Sequence, residues 1–237
     1  MRGFPKNIKG RYNIMEYKYE MHIHTKEGSS DATMTGRQAV LHYKKLGYSG
    51  ICITDHFTGS ITRNPADLWD VQMDTFCKGY EEAAREAVGT DVSVFFGLEF
   101  SDRGNDFLFF GLDKQWLKNN PDILDIPLKE LLTRVRRDGG FVVHAHPFLQ
   151  WDWIEMIRLL PGHVDAVEVV NMGIKPEENA RAEWYAGSFN LKKTGGSDIH
   201  HDSVTVHSGI ITKTRATDIK NLTDMIRAGI TKVIRPN

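Results

Sequence analysis

Cysteine is scarce: Cys52 and Cys77 are the only two in 237 residues, and neither sits in a C-x-x-C pair. That excludes a disulfide framework. Long apolar runs are missing as well. Nothing approaches the roughly 20 residues needed to cross a bilayer. The start, Met1 to Lys6, lacks the apolar stretch of a secretion signal, so the expectation is a cytoplasmic protein with no membrane partner. Charge of one sign is missing too: 30 Lys and Arg against 31 Asp and Glu give a formal charge of −1. A dedicated nucleic-acid binder is therefore not expected, although a local basic face stays compatible with this balance. The chain lacks a Pro/Gly/Ser linker, a low-complexity tract and an internal repeat, so residues 1–237 read as a single domain. It also lacks the G-x-S-x-G, G-x-x-x-x-G-K-[ST] and H-E-x-x-H motifs, which removes the serine-elbow, P-loop and zincin chemistries.

What is present is alternation. Apolar, β-branched or aromatic runs predict strands at Tyr19 to Ile23, Gly50 to Ile53, Val92 to Leu98, Phe107 to Leu112, Phe141 to His144, Ala166 to Val170, Leu191 to Gly195 and Val206 to Thr212. Between the first two, Thr33 to Leu46 carries the capping pattern Thr35-x-x-Gln38, a helical stripe and a stop at Gly47. Further helices are predicted at Met73 to Val88, Leu128 to Arg137, Trp153 to Leu160, Pro176 to Gly187 and Thr217 to Ala228. Only Ser101 to Asp106 joins the third and fourth strands, too short for a helix, so the expectation is an irregular α/β barrel.

Chemistry-bearing residues gather where strands end. His22 and His24 close the first run with one residue between them, a spacing that points two side chains to one face. Alone, this fits two ligands or two partly exposed histidines equally. Asp55-His56, Glu99, His144 with His146, and Asp198-Ile199-His200 follow other strands in the same manner. In parallel barrels the strand C-termini form the face that carries sites. Imidazole mixed with carboxylate suits Zn, Mn or Fe better than Mg or Ca.

Five motifs, Glu20-Met21-His22-Ile23-His24-Thr25, Thr54-Asp55-His56, Gly97-Leu98-Glu99, Ala145-His146-Pro147 and Ser197-Asp198-Ile199-His200, resemble in type and order those of the PHP (polymerase and histidinol phosphatase) metal-dependent phosphoesterases. The resemblance implies a distorted (β/α)7 TIM-like barrel, PHP type, with two or three divalent metal ions at the strand C-termini. Carried over by position, it makes His22, His24, Glu99 and Asp198 ligands of a first metal, with Glu99 bridging to a second that His146 also holds. It makes Asp31, His56 and His200 the set for a third. Where many relatives have a further second-metal histidine, this chain has Asp106, which can serve as a ligand. Some relatives carry an Arg after the His-Pro pair; here Phe148-Leu149-Gln150 stands instead.

The implied activity is hydrolysis of a phosphate ester by a hydroxide shared between two metals. The expected substrate is a small phosphomonoester, a histidinol-phosphatase-like role being one specific form. A phosphodiesterase or exonuclease of the same family is the enzyme alternative, an amidohydrolase-type metal hydrolase a more distant one, and a non-catalytic metal-binding regulatory protein the remaining class. Catalytic roles fall to Asp198, which can orient the hydroxide or take its proton, and to His200 or His56 if not metal-bound. Lys26, Arg103, His144 and Lys175 are candidates for substrate contact, and Trp151 with Trp153 for a pocket wall. Asp55 is read as orienting a ligand, and Glu168 as either a paired barrel carboxylate or support for the site. Arg134, Arg136 and Arg137, in the last turn of a helix, complement its dipole and receive no substrate role. The oligomeric state is left open.

Overall fold

The structure, a computed structural model, describes residues 15–58, 67–152 and 154–236. Met1 to Lys6 and Trp153 lie outside them. Among the described residues, ten strands share one sheet: β1 (Tyr17–Ile23), β2 (Gly50–Ile53), β3 (His56–Phe57), β4 (Ser93–Asp102), β5 (Asn105–Phe110), β6 (Phe141–Ala145), β7 (Ala166–Asn171), β8 (Lys192–Gly196), β9 (Ile210–Thr212) and β10 (Lys232–Val233). The helices are α1 (Gly36–Lys45), α2 (Trp69–Phe76), α3 (Lys78–Ala87), α4 (Lys114–Asn119), α5 (Leu128–Arg137), α6 (Pro176–Ser188) and α7 (Ile219–Ala228).

Neighbouring strands follow the order β10-β9-β1-β2-β4-β5-β6-β7-β8, with β3 paired to β4. The two ends meet where Ile23 bridges Ile199: His24 N–H donates to Ile199 O at 3.1 Å and Asp198 N–H to His22 O at 2.9 Å. The barrel wall therefore runs through β1, β2, β4, β5, β6, β7 and β8, the distorted seven-stranded ring expected, with β9 and β10 as an antiparallel flap on β1. The distortion is β5, antiparallel to both neighbours. A two-residue turn, Arg103 (φ 54°) and Gly104 (φ 77°), makes the β4–β5 hairpin, and left-handed backbone at both positions suits the twist of a tight hairpin. Because β5 runs backwards, its first residues lie at the rim where the parallel strands end.

One apolar cluster joins Tyr19 and Met21 of β1, Cys52 of β2, Leu108 and Phe110 of β5, Phe141 and Val143 of β6 and Leu222 and Ile226 of α7. Strands from opposite sides of the ring touch the same side chains, so this cluster fills the barrel interior beneath the rim. Outside the ring, α5 buries Leu128, Leu131, Leu132 and Val135 against the sheet. Each such side chain contributes about 1.5–3 kcal/mol. The capping box of α1 forms as its sequence indicates: Thr35 Oγ1 accepts from Gln38 N–H at 3.2 Å and Gln38 Oε1 accepts from Thr35 N–H at 2.9 Å.

Two helix expectations change. The helix over Met73 to Val88 becomes α2 and α3, broken at Cys77. The break brings Gly79 against Thr25 and Asp55, where any Cβ would collide. Residues 154–160, expected as helix, are irregular. Asn105 takes over their backbone groups, donating from Nδ2 to Met156 O at 3.1 Å and accepting Arg158 N–H at 2.8 Å. Tertiary hydrogen bonds thus outcompete the intrahelical ones. Sequence reading also missed α4, β3 and β10, all of six residues or fewer. No helix among the described residues is long and apolar enough to cross a membrane.

The seam between β1 and the end of β8 depends on Glu20, which is fully buried and pushed by that burial up to about pH 7 in its pKa. Its carboxyl group accepts Met21 N–H at 2.9 Å, His22 N–H at 3.0 Å, Ser197 N–H at 2.8 Å, Tyr43 Oη at 2.9 Å and the Ser197 hydroxyl. Removing the acceptor strands several buried donors at once. Glu20→Ala is expected to cost about 3 kcal/mol or more of unfolding free energy in urea titration, and Tyr43→Phe, which removes one donor, about 1 kcal/mol.

Candidate metal centre

The barrel rim collects nine side chains from seven places in the chain. His22 comes from β1 and His24 from the residue after it, Asp31 from the following loop, His56 from β3, Glu99 from β4, Asp106 from the reversed β5, His146 from the end of β6, and Asp198 and His200 from the end of β8. Every residue predicted as a metal ligand is in this group. Asp106 arrives only because β5 is antiparallel, which sets it opposite Ser101 and Ala145 at the rim.

The innermost group is the tightest. His22 Nε2 and His24 Nε2 lie 3.1 Å apart. His22 Nε2 is 3.2 Å from Glu99 Oε1 and 3.5 Å from Asp198 Oδ1, while His24 Nε2 is 3.4 Å from Glu99 Oε2 and 3.1 Å from Asp198 Oδ1. Beside it, His146 Nε2 is 3.0 Å from Glu99 Oε1, and its Nδ1 is 3.9 Å from Asp106 Oδ2. On the outer side, His56 Nδ1 is 2.7 Å from Glu99 Oε2, its Nε2 is 3.3 Å from Asp31 Oδ2, and His200 Nε2 is 3.3 Å from His56 Nε2. Glu99 is thus common to all three groups, buried to within 1% of its surface.

Buried partners fix the tautomers. Glu168, fully buried, faces His22 Nδ1 at 3.0 Å, accepts His146 N–H at 3.1 Å and Asn171 Nδ2–H at 2.8 Å. With Nδ1–H donated to Glu168, the Nε2 lone pair of His22 is free to face the centre. The two sequence readings of Glu168 are thereby separated: it supports a candidate ligand directly. Asn171 reaches Asp198 Oδ2 at 3.1 Å with the same amide nitrogen. Asp55 acts on His24 through Ser29, whose Oγ lies 2.9 Å from Asp55 Oδ1 and 3.2 Å from His24 Nδ1. Asn171 and Ser29 were not singled out from sequence. Asn171 had a signal, a polar residue closing an apolar strand; Ser29, in a loop, had none.

The electrostatics are those of a cation cage. Burial alone would raise the carboxyl pKa of Glu99, but His22 and His56 hold it well below the ordinary range. Asp198 is likewise held low against burial, by His22 and His24. Burial disfavours a charged His56, yet Glu99 and Asp31 drive it up to about 11, and the same opposition takes His146 up to about 9. Burial and then the neighbouring His56 push His24 down to about 3. Burial and the Glu99 charge push Asp106 up to about 6. Two further observations show that the donor set fits divalent cations. Two imidazole nitrogens face each other at hydrogen-bond distance among acceptors, and buried Glu99 Oε2 has no aligned hydrogen-bond donor. Imidazole with carboxylate suits Zn, Mn or Fe.

The centre floors a cavity of about 740 Å3. Asp31, His56, Asp106, His146, Asp198 and His200 open onto it, as does Trp151. The expected substrate contacts do not. Lys26, Arg103 and Lys175 are exposed and lie outside its lining. His144 is fully buried on the outer face of β6, stacked on Phe107 with centroids 4.7 Å apart and edge-on to Tyr185. The same-face expectation for His144 and His146 fails because β6 ends at Ala145 and His146 adopts φ 23°, which turns its side chain back to the rim. Asp198 also sits in left-handed backbone, at φ 52°, a cost of about 1–3 kcal/mol that sites tolerate. Arg134, Arg136 and Arg137 pair with Asp122, Asp165 and Asp138, away from the cavity.

A family model for the PHP domain matches residues 20–139, which hold His22 through Asp106; His146, Asp198 and His200 join the cluster through the fold. A comparison with curated proteins finds no match. Among solved structures, a two-domain protein from Bacteroides vulgatus containing a predicted PHP-like metal-dependent phosphoesterase superposes with a TM-score of 0.68 at 16% identity, covering 93% of this chain. The chain spans 65% of the length of that protein. A predicted metal-dependent phosphoesterase from Bifidobacterium adolescentis gives 0.56 at 19% identity, covering 89% of this chain and 96% of its own. PsfC from Pseudomonas syringae gives 0.60 at 15%, covering 93% and 92%. Likeness at these identities establishes a shared fold.

Two outcomes follow from the geometry. Imidazoles must be neutral to ligate, and, against their burial, the surrounding carboxylates raise His56 to about 11 and His146 to about 9, so loading with Mn²⁺ or Zn²⁺ should release protons, with affinity falling as pH falls. Calorimetry in buffers of different ionisation enthalpy should show the release; a binding heat independent of buffer would contradict it. Glu168→Gln, which sets an amide against His22 Nδ1, should weaken metal affinity by about 10–100-fold in chelator competition.

Proposed function

The chain belongs to the PHP domain family, and we propose that it is a metal-dependent phosphoesterase, a phosphatase acting on a small phosphomonoester. The observation that carries this reading is the inner group, with His22 Nε2 and His24 Nε2 at 3.1 Å, both facing the buried Glu99 and the Asp198 carboxylate. His22, His24, Glu99 and Asp198 would hold one ion, Glu99, Asp106 and His146 a second, and Asp31, His56 and His200 a third. When bound, such ions supply Lewis acidity toward phosphoryl oxygens and make water acidic enough to ionise near neutral pH.

The chain's own groups do the rest. Asp198, oriented by Asn171 at 3.1 Å and open to the cavity, can orient the attacking water or take its proton. His200, on the cavity lining, is tied through Nδ1 to Asp198 O at 3.0 Å with Nε2 3.3 Å from His56 Nε2; as the imidazolium, with no cation engaging it, it can protonate a leaving oxygen from Nε2. A cavity of about 740 Å3, within the size range of small-molecule sites, supports a small ester. Among the described lining residues no Lys or Arg is present to track a polyanionic backbone.

A panel of phosphomonoesters and phosphodiesters tests the reading. Metal-loaded protein should release phosphate from monoesters, and chelation should abolish this until Mn²⁺ or Zn²⁺ is returned. His22→Ala and Asp198→Ala should each lower kcat/KM by at least about 100-fold. Undiminished hydrolysis by those variants would place the chemistry elsewhere.

A further inference from the structure

Outside the rim, the described residues bring one further pair of imidazole nitrogens to hydrogen-bond distance. His42 Nε2, in the last turn of α1, lies 3.2 Å from His207 Nε2, in the segment between β8 and β9. Both residues are half-buried, and their rings are tilted by 64° with centroids 4.9 Å apart. The pair is held from both sides. On one, α1 is fixed by its capping box and by buried Ala39, Val40 and Tyr43. On the other, Ser208 follows His207 and is bound three times: its N–H donates to Ser197 Oγ at 2.9 Å, its hydroxyl donates to Ile234 O at 2.8 Å, and its carbonyl accepts from Tyr48 Oη at 2.7 Å. The Tyr43 ring meets both imidazoles close to edge-on, with centroids 5.3 Å from His42 and 5.4 Å from His207, while its hydroxyl is committed to Glu20.

Spacing and charge state both fit a cation. A tetrahedral ion bound to two imidazole nitrogens at about 2.0–2.1 Å sets those nitrogens roughly 3.3–3.4 Å apart. The observed 3.2 Å asks for almost no movement. Burial outweighs the Asp202 charge and lowers the pKa of His42; burial, then His42 and Lys18, take His207 down to about 4 against the Val204 backbone. Neutral imidazole is the ligating form. An ion can therefore enter here with no net loss of protons, unlike at His56 and His146. Asp202, exposed on the same segment as His207, brings negative charge to His42 against Lys45 and can close a third position. Lys18, the cation whose charge reaches His207, is engaged elsewhere: its Nζ donates to Leu46 O at 2.7 Å and lies over the Tyr48 ring.

We propose that His42 and His207 form a further cation site, separate from the rim, that takes Zn²⁺, and that the bound ion ties the segment after β8 to α1. A site led by two imidazoles suits Zn²⁺ and not Mg²⁺ or Ca²⁺. The tied segment also carries His201 and Val204 of the cavity lining, so occupancy steadies one side of the cavity from outside it. The inference is independent of the phosphoesterase reading.

The test measures the zinc content of the full chain by elemental analysis after dialysis at micromolar free Zn²⁺. The parent should hold one equivalent more than His42→Gln and one more than His207→Gln, and the double variant should hold no less than either. His201→Gln, a histidine change on the same segment, should match the parent. Hydrogen exchange gives a second readout. Once free zinc exceeds the Kd of this site tenfold, amides of residues 201–209 should slow about tenfold more in the parent than in the two single variants. Equal zinc content in the parent and both variants would overturn the proposal. So would loss of the same equivalent in His201→Gln, which would assign the ion to the cavity, or equal slowing of exchange in parent and variants.

Discussion

Charge crowding at one rim governs this molecule. Glu99 is 1% exposed and Asp198 15%, and the imidazoles packed around them hold both carboxyls below their ordinary range. Carboxylates removed from water demand positive charge nearby, and in its absence would shift toward their neutral forms. The rim answers this with His22, His24, His56, His146 and His200, imidazoles whose neutral forms are themselves donors for a cation. Much of the surrounding polar structure keeps these side chains aimed. Glu168 and Asn171 set His22 and Asp198, and Asp55 sets His24 through Ser29.

The barrel supplies the convergence. Parallel strands deliver their C-termini to one end, so residues separated by most of the chain meet within hydrogen-bond distance. The reversed β5 is the exception that completes the cluster. Had a helix joined β4 to a parallel β5, Asp106 at the start of that strand would lie at the opposite end of the barrel. The two-residue turn at Arg103 and Gly104 therefore has a consequence for chemistry as well as topology. It also places Asn105 where it holds Met156 and Arg158, so one hairpin shapes both the rim and the segment beside it.

Legibility in the sequence followed locality. The run Leu128 to Arg137 read as a helix because its stripe and its basic last turn are complete within ten residues, and the helix has those bounds. Trp153 to Leu160 carried a comparable pattern, and its described part, 154–160, is irregular because Asn105, some fifty residues earlier, captures its backbone. His144 and His146 looked equivalent by spacing. They part because one residue leaves the strand in left-handed backbone, a change invisible to periodicity. Lys26, Arg103 and Lys175 follow strand ends as site residues do, but following a strand fixes the end of the barrel and not the direction of the side chain.

The sequence by itself determined the alternation of strands and helices, the capping of α1 and the inventory of imidazoles and carboxylates at strand ends, since these depend on neighbours within a few residues. Only the tertiary structure decided which of them share a cavity, which buried group orients each, and that Asn105 pins the segment after β6. Those outcomes rest on contacts between distant segments, whose geometry depends on strand direction and ring closure, and no local pattern encodes either.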